Sequence, residues 1–200
     1  MKKNQNNQNK IYLVLLRNFS KNNNLDDAIG QTLSELKIKK NINQFKNEYL
    51  PQGIKSLMFE INEILNDKIK KLKKPRNFSN YRTHEKIIFF VIKRLEEFNE
   101  LVDKKKIFKE TIKPSFFISS NKILFKISDE IWYLSGDKST DINYYTKRLI
   151  LMKIYALTFS FFVFDKSDDF INTKMFLDKQ IQSVIFFGKF KNKVKNRFNQ

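Results

Sequence analysis

The chain has no cysteine and a single histidine, His84, among its 200 residues. The first absence excludes zinc fingers, iron–sulfur centres held by thiolates, and cysteine nucleophiles. The second excludes His-rich metal cages and the di-iron carboxylate arrangement, which takes two Glu-x-x-His motifs. Neither lack prevents folding, because a chain this long buries roughly 70% of its unfolded surface without a disulfide or metal. Proline and glycine are also scarce, at three and four residues. That is too few for a sandwich or barrel with a turn every ~8–12 residues, and the composition predicts an all-α fold. Arginine is rare beside lysine, 6 against 33, and no Gly-x-Ser-x-Gly segment marks a serine nucleophile.

What is abundant is positive charge: Lys+Arg 39 against Asp+Glu 21, a net +18. Such an excess points to nucleic acid or an anionic membrane. The lysines come with 22 Asn, 23 Ile and 21 Phe, residue types spelled by A/T-rich codons, so codon bias accounts for part of it. Residues 1–110 carry 24 basic and 13 acidic groups, residues 111–187 carry 10 and 8, and residues 188–200 carry 5 and none. The excess therefore sits in the N-terminal half and the tail.

Apolar residues at helical spacing (Leu57, Met58, Ile61, Ile64, Leu65, Ile69, Leu72) predict a helix over 54–72, ended by Lys73-Lys74-Pro75. Asn24 before Asp26 and Asp27 reads as the cap of a helix to about residue 36. Further helices are expected over 11–19, 83–101, 104–111 and 115–136. Residues 149–164 are the most apolar stretch, but they number 16, include Lys153, and fall short of the ~20 needed to cross a bilayer. They read as a central helix capped by Ser139, Thr140 or Asp141, with a last helix from about 168 to at least 187. The Lys/Asn/Gln-rich start has no apolar h-region, and a cytoplasmic, bacterial setting is expected, or a mitochondrial one in a eukaryote. His84 reads as a surface or capping residue.

Residues 131–148 hold the only Trp beside a tight turn at Gly136-Asp137. Helix capping explains the turn but not the gathering of Trp132, Tyr133, Tyr144, Tyr145 and Arg148 at one corner. Aromatics and arginine of this kind are favoured as interface anchors, and ordinary core packing of two or three of them is the alternative.

The string Trp132-Tyr133-x-x-Gly136-Asp137-x-Ser139-Thr140-Asp141-x-Asn143-x-Tyr145-Thr146-Lys147-Arg148 resembles the accessory lipid-binding family of ubiquinone biosynthesis, the ninth of the Coq proteins. So do Asp165-x-Ser167-x-Asp169-Phe170 and Thr173-x-x-Phe176-Leu177-Asp178-x-x-Ile181 after it. A weaker echo lies at Leu50-Pro51-Gln52-Gly53, and Lys174 and Gln180 depart from the Trp and Arg common in the family. The resemblance implies a TetR-like all-α fold, commonly dimeric, with a small helix-turn-helix-derived part (1–50), a larger lipid-binding helical domain (51–187) and a tail (188–200). It implies no catalysis and no cofactor. The chain would bind an isoprenoid lipid or quinone precursor and present it to a di-iron hydroxylase. Partner contact is expected at Trp132, Tyr133, Asp137, Asp141, Tyr144, Tyr145, Lys147 and Arg148.

A prenyl tail needs a long apolar cavity, and Leu149, Met152, Tyr155, Phe159 and Phe162 on one side of the central helix are its expected wall, with core packing the alternative for each. Phe187, Phe190, Val194 and Phe198 fall on one helical face, with Lys189, Lys193 and Arg197 elsewhere, a short basic amphipathic pattern suited to a membrane surface. Gly188 could hinge it, and a frayed, solvated terminus is the alternative. The rival function is a TetR-like DNA-binding regulator, whose recognition helix would fall at 41–49 with Asn43, Gln44, Lys46 and Asn47 facing bases. Specific nucleic-acid recognition is not expected, because Asn is frequent throughout the chain.

Overall fold

The computed structural model describes residues 2–22 and 24–198, with side-chain burial for residues 7–22 and 24–187. Among them the chain forms α1 (Lys2–Lys21), α2 (Leu25–Glu35), α3 (Ile42–Tyr49), α4 (Ile54–Lys70), α5 (Thr83–Leu101), α6 (Lys104–Thr111), α7 (Phe117–Leu134), α8 (Ile142–Phe164) and α9 (Ile171–Phe198), with no strand. The protein is all-α, as its composition predicts.

Caps set several of these boundaries. The Asn24 side chain accepts from the Asp27 N–H at 2.8 Å, opening α2. Asn41 and Gln44 satisfy each other's backbone N–H groups in a capping box that opens α3. Asp141 opens α8.

Three elements differ from expectation. α1 begins at Lys2 rather than near residue 11, as an extension of the turns anchored by the buried Tyr12, Leu15, Leu16 and Phe19, with the Lys and Gln of its first turns offsetting four Asn of weaker helix propensity. α7 starts behind a 3-10 turn, Pro114–Phe116, in which the proline sits in the first turn. α9 runs through Gly188 without a break, so the expected hinge there is not formed. A glycine inside a helix costs only about 1 kcal/mol relative to alanine.

The chain folds as two compact units, residues 1–73 with 93–127, and residues 74–92 with 128–200. Neither is one continuous stretch of chain, so they divide it differently from the partition 1–50, 51–187 and 188–200. The first unit buries Leu15, Ile29, Phe45, Leu57, Leu65 and Leu95. The Tyr12 hydroxyl donates to the Tyr49 carbonyl at 3.0 Å, tying α1 to α3. The second unit buries Phe90, Ile131, Leu151, Phe162, Leu177 and Ile181, and Phe78 packs edge-on against Phe89 and Phe90. This second unit contains the corner and the apolar helix that the sequence singles out.

Candidate functional site

At the end of α7, Gly136 takes φ +89°, a conformation that favours glycine. The Asp137 N–H bonds the Trp132 carbonyl and the Gly136 N–H bonds the Tyr133 carbonyl, both at 3.0 Å. This is a Schellman closure. It brings Asp137 round to face the start of α8, where the Asp141 side chain accepts from the Asn143 N–H at 3.0 Å.

Between the two ends lies a charge network. Arg148, 3% exposed, donates from Nε to Asp129 at 2.6 Å and from Nη1 to Asp137 at 3.0 Å. Lys147 bonds the other Asp137 oxygen at 2.8 Å and the Ser139 hydroxyl at 2.6 Å. The Tyr144 hydroxyl donates to Asp129 at 2.8 Å, and the guanidinium lies 3.4 Å from the centroid of the Tyr144 ring. Burial raises the Asp137 carboxyl pKa, but hydrogen bonds from Lys147, Arg148 and Ser139 outweigh it and hold the group well below the usual carboxylate range. Burial likewise works against charge on Arg148, and its bonds to Asp129 and Asp137 reverse that and raise its pKa. The corner is a paired cluster of two acids and two bases in which Arg148 and Asp137 are buried and Asp129 and Lys147 remain partly exposed.

This arrangement divides the expected partner residues into two sets. Asp137, Tyr144, Lys147 and Arg148 point into the network, and Asp141 is spent on the α8 cap. Tyr133 and Tyr145 stand outside, 70% and 60% exposed, with Ile142 and Leu149 exposed beside Tyr145 along α8. Trp132 belongs to both sides: it is half-buried, its indole N–H donates to the Lys147 carbonyl at 3.0 Å, and the Lys147 ammonium lies 5.3 Å from its ring. Asp129 is a member of the network that sequence reading missed. Its signal was its place one turn before Trp132 on α7, which puts the two on one helix face.

Behind the corner is an apolar pocket of about 330 Å³. α5 contributes Thr83, His84 and Ile87, and α7 contributes Trp132. The other walls are Ile150, Leu151 and Ile154 of α8 and Ile181, Val184 and Ile185 of α9. His84, expected at the surface or in a cap, is half-buried in the first turn of α5 and lies at the edge of this lining. The pocket uses a different side of α8 from the expected wall. Leu149 is exposed, while Tyr155 and Phe162 are buried in packing, with Tyr155 stacked on Phe159 and Phe162 edge-on to Phe170. Met152 and Phe159 are half-buried and do not line the pocket. α8 is apolar almost all round, so periodicity alone could not say which side faces a cavity.

At the far end of α8, Asp165 accepts from the backbone and hydroxyl of Ser167 (2.9 and 2.7 Å) and of Thr173 (2.9 and 2.6 Å). Burial raises its pKa, and these four bonds more than reverse that, holding it down to about 2. Asp169 and Phe170 follow with φ of 48° and 55°, a strained step into α9.

Phe187 is exposed. The side chains of Lys189, Phe190, Lys193, Val194, Arg197 and Phe198 lie outside the described residues. No helix among the described residues is long and apolar enough to cross a membrane. In the candidate recognition helix α3, Gln44 is used in the capping box, Lys46 pairs with Asp26 and Phe45 is buried. Two of the four side chains offered to DNA are thus committed within the fold.

A COQ9 family model matches residues 118–188, a stretch that takes in nearly all of α7, all of α8 and α9 as far as Gly188. The probable ubiquinone biosynthesis protein coq9, mitochondrial, of Dictyostelium discoideum is 37% identical over 81 residues, 40% of this chain and 26% of that protein. The human ubiquinone biosynthesis protein COQ9, mitochondrial, is 36% identical over 78 residues, 39% of this chain and 24% of that protein. The Schizosaccharomyces pombe protein of the same name is 37% identical over 81 residues, covering 40% and 32%. The match thus spans about a quarter to a third of the length of these relatives. Leu50-Pro51-Gln52-Gly53 lies outside the segment that the family model covers. The corner, the pocket walls of α7 to α9 and the Asp165 turn all fall inside it, and it is over that segment that the chain is similar to the COQ9 proteins of ubiquinone biosynthesis.

Proposed function

We propose that this chain is a non-catalytic accessory protein of ubiquinone biosynthesis that holds part of an isoprenoid quinone precursor and presents it to a di-iron hydroxylase. The observation that carries the reading is an almost wholly apolar pocket, seven of whose ten lining residues lie in the segment that matches COQ9. Its 330 Å³ lies at the low end of the roughly 300–1,000 Å³ of small-molecule sites, room for a stretch of prenyl chain rather than a whole long-tailed quinone. Ile150, Leu151, Ile154 and Ile181 supply the apolar contact. The chain's own residue types, one His and no Cys, do not furnish a di-iron centre, so ring oxidation falls to the partner.

The exposed Tyr133, Tyr145, Ile142 and Leu149 are the docking face for that partner, resting on a corner whose charges are satisfied internally. The TetR-like arrangement, a homodimer and peripheral contact with a membrane through the basic tail belong to the same reading. The relatives are named as mitochondrial, which favours a mitochondrial setting over a bacterial one.

The test is organic extraction of the purified protein followed by mass spectrometry. A prenylated quinone or precursor is expected in near-stoichiometric amount. Extracts holding membrane phospholipid alone would overturn the reading.

A further inference from the structure

We propose that Trp132 couples the pocket to the outer corner, so that an apolar chain in the pocket fixes the docking face and its occupancy is read at the surface. The inference rests on the reading of the pocket as a site for an apolar chain and adds the way that site is regulated.

One and a half turns of α8 join the charge network to the pocket wall. Lys147 and Arg148 enter the charge network, Leu149 points outward at 58% exposed, and Ile150 and Leu151 form pocket wall. Trp132 grips this stretch. Its ring lines the pocket, its N–H bonds the Lys147 carbonyl at 3.0 Å, and its ring face lies 5.3 Å from the Lys147 ammonium that also bonds Asp137. Tyr133, the next residue, is on the docking face.

The indole can leave this position only by a discrete change of rotamer. Leaving breaks the bond to Lys147 and loosens the stretch that presents Leu149 and Tyr145. A chain in the pocket makes many small dispersion contacts with the ring in its seated position, and loses them if the ring leaves. A ligand shifts an equilibrium by its differential affinity for the two states, so occupancy favours the seated ring and an ordered face. The coupling is reciprocal: whatever binds the ordered face tightens the pocket by the same factor.

The single Trp of the chain makes this measurable on the intact protein. Farnesol is titrated into the full chain while Trp132 emission is followed, and backbone hydrogen exchange of the peptide over residues 129–149 is measured with and without saturating farnesol. Emission is expected to change on binding, and exchange in that peptide to slow by about five-fold or more, the lower end of usual coupling strengths. Trp132→Phe keeps an aromatic ring and removes the N–H. At farnesol concentrations shown by equilibrium dialysis to saturate this variant, the slowing should be lost. Val184→Trp fills the pocket from α9, and should block farnesol and show slowed exchange without it.

Farnesol binding with exchange unchanged, or slowing that persists in Trp132→Phe, overturns the coupling and leaves the pocket reading standing. A Val184→Trp chain that excludes farnesol but exchanges at the unliganded rate also overturns the coupling. Failure of the wild-type chain to bind farnesol overturns both.

Discussion

Arg148 divides its guanidinium between Asp129 and Asp137 and stacks on Tyr144 while almost wholly shielded from water. Removing one member of such a buried cluster leaves charge without its partner, typically a loss of about 3–5 kcal/mol. Arg148→Met is expected to lower stability by about 3 kcal/mol in urea unfolding, whatever it does to partners, and so cannot report on docking. The exposed tyrosines can. Tyr133→Ala removes an exposed ring and should change stability by no more than about 0.5 kcal/mol, while Tyr145→Ala also gives up an edge-on contact with Tyr144, worth about 0.5–1.5 kcal/mol. If the docking face is as proposed, each loses about 2 kcal/mol of hydroxylase affinity, roughly 30-fold, and pull-down at wild-type level would assign both to solvent. The sequence showed that aromatics and charges gather here. It did not show which are anchors and which are buttress, because that depends on Asp129, which lies outside the motif and meets Tyr144 and Arg148 only when α7 and α8 come together.

At the scale of elements, α9 depends on a residue that precedes it. The Asp165 carboxylate takes the Thr173 N–H and hydroxyl in the first turn, and loss of such a cap costs about 0.5–2 kcal/mol. Asp165→Ala should lower the thermal midpoint measured by circular dichroism. The folded pKa is depressed to about 2 against roughly 3.9 in an unfolded chain. The stabilisation is therefore fully present above about pH 4 and is lost as pH falls through 2. Asp165→Asn should flatten the dependence of stability on pH across that window, and an unaltered acid limb would show that other carboxylates dominate it. Most helix boundaries were legible in the sequence, since caps such as Asn24, Asn41 and Asp141 act through atoms a few residues away. The pocket-facing side of α8 was not legible, because with apolar residues nearly all round there is no polar face to set its rotation.

For the whole molecule, charge is the property to test. Residues 188–200 carry five Lys or Arg and no acid, and each basic group near an anionic bilayer contributes about 1 kcal/mol at modest ionic strength. A chain truncated after Phe187 should lose most of its flotation with anionic liposomes, and the full chain should lose it in high salt, where surface charges are screened. Undiminished flotation of the truncated chain would move the membrane contact elsewhere, the first candidates being the exposed Phe164, Ile171 and Met175 where α8 meets α9.

The lack of cysteine and near-lack of histidine excluded thiol chemistry and Cys-ligated or His-rich metal centres, because these require those side chains whatever the fold. Composition and local spacing likewise determined the all-α class, most helix limits and the segment that carries the family likeness. Tertiary structure alone decided that Asp137, Lys147 and Arg148 neutralise one another inside the corner, leaving Tyr133 and Tyr145 outside, and that the cavity opens on Ile150, Leu151 and Ile154 rather than on Leu149, Met152 and Phe159. Burial and pairing are properties of neighbours distant in sequence, and a residue's spacing within its own helix does not contain them.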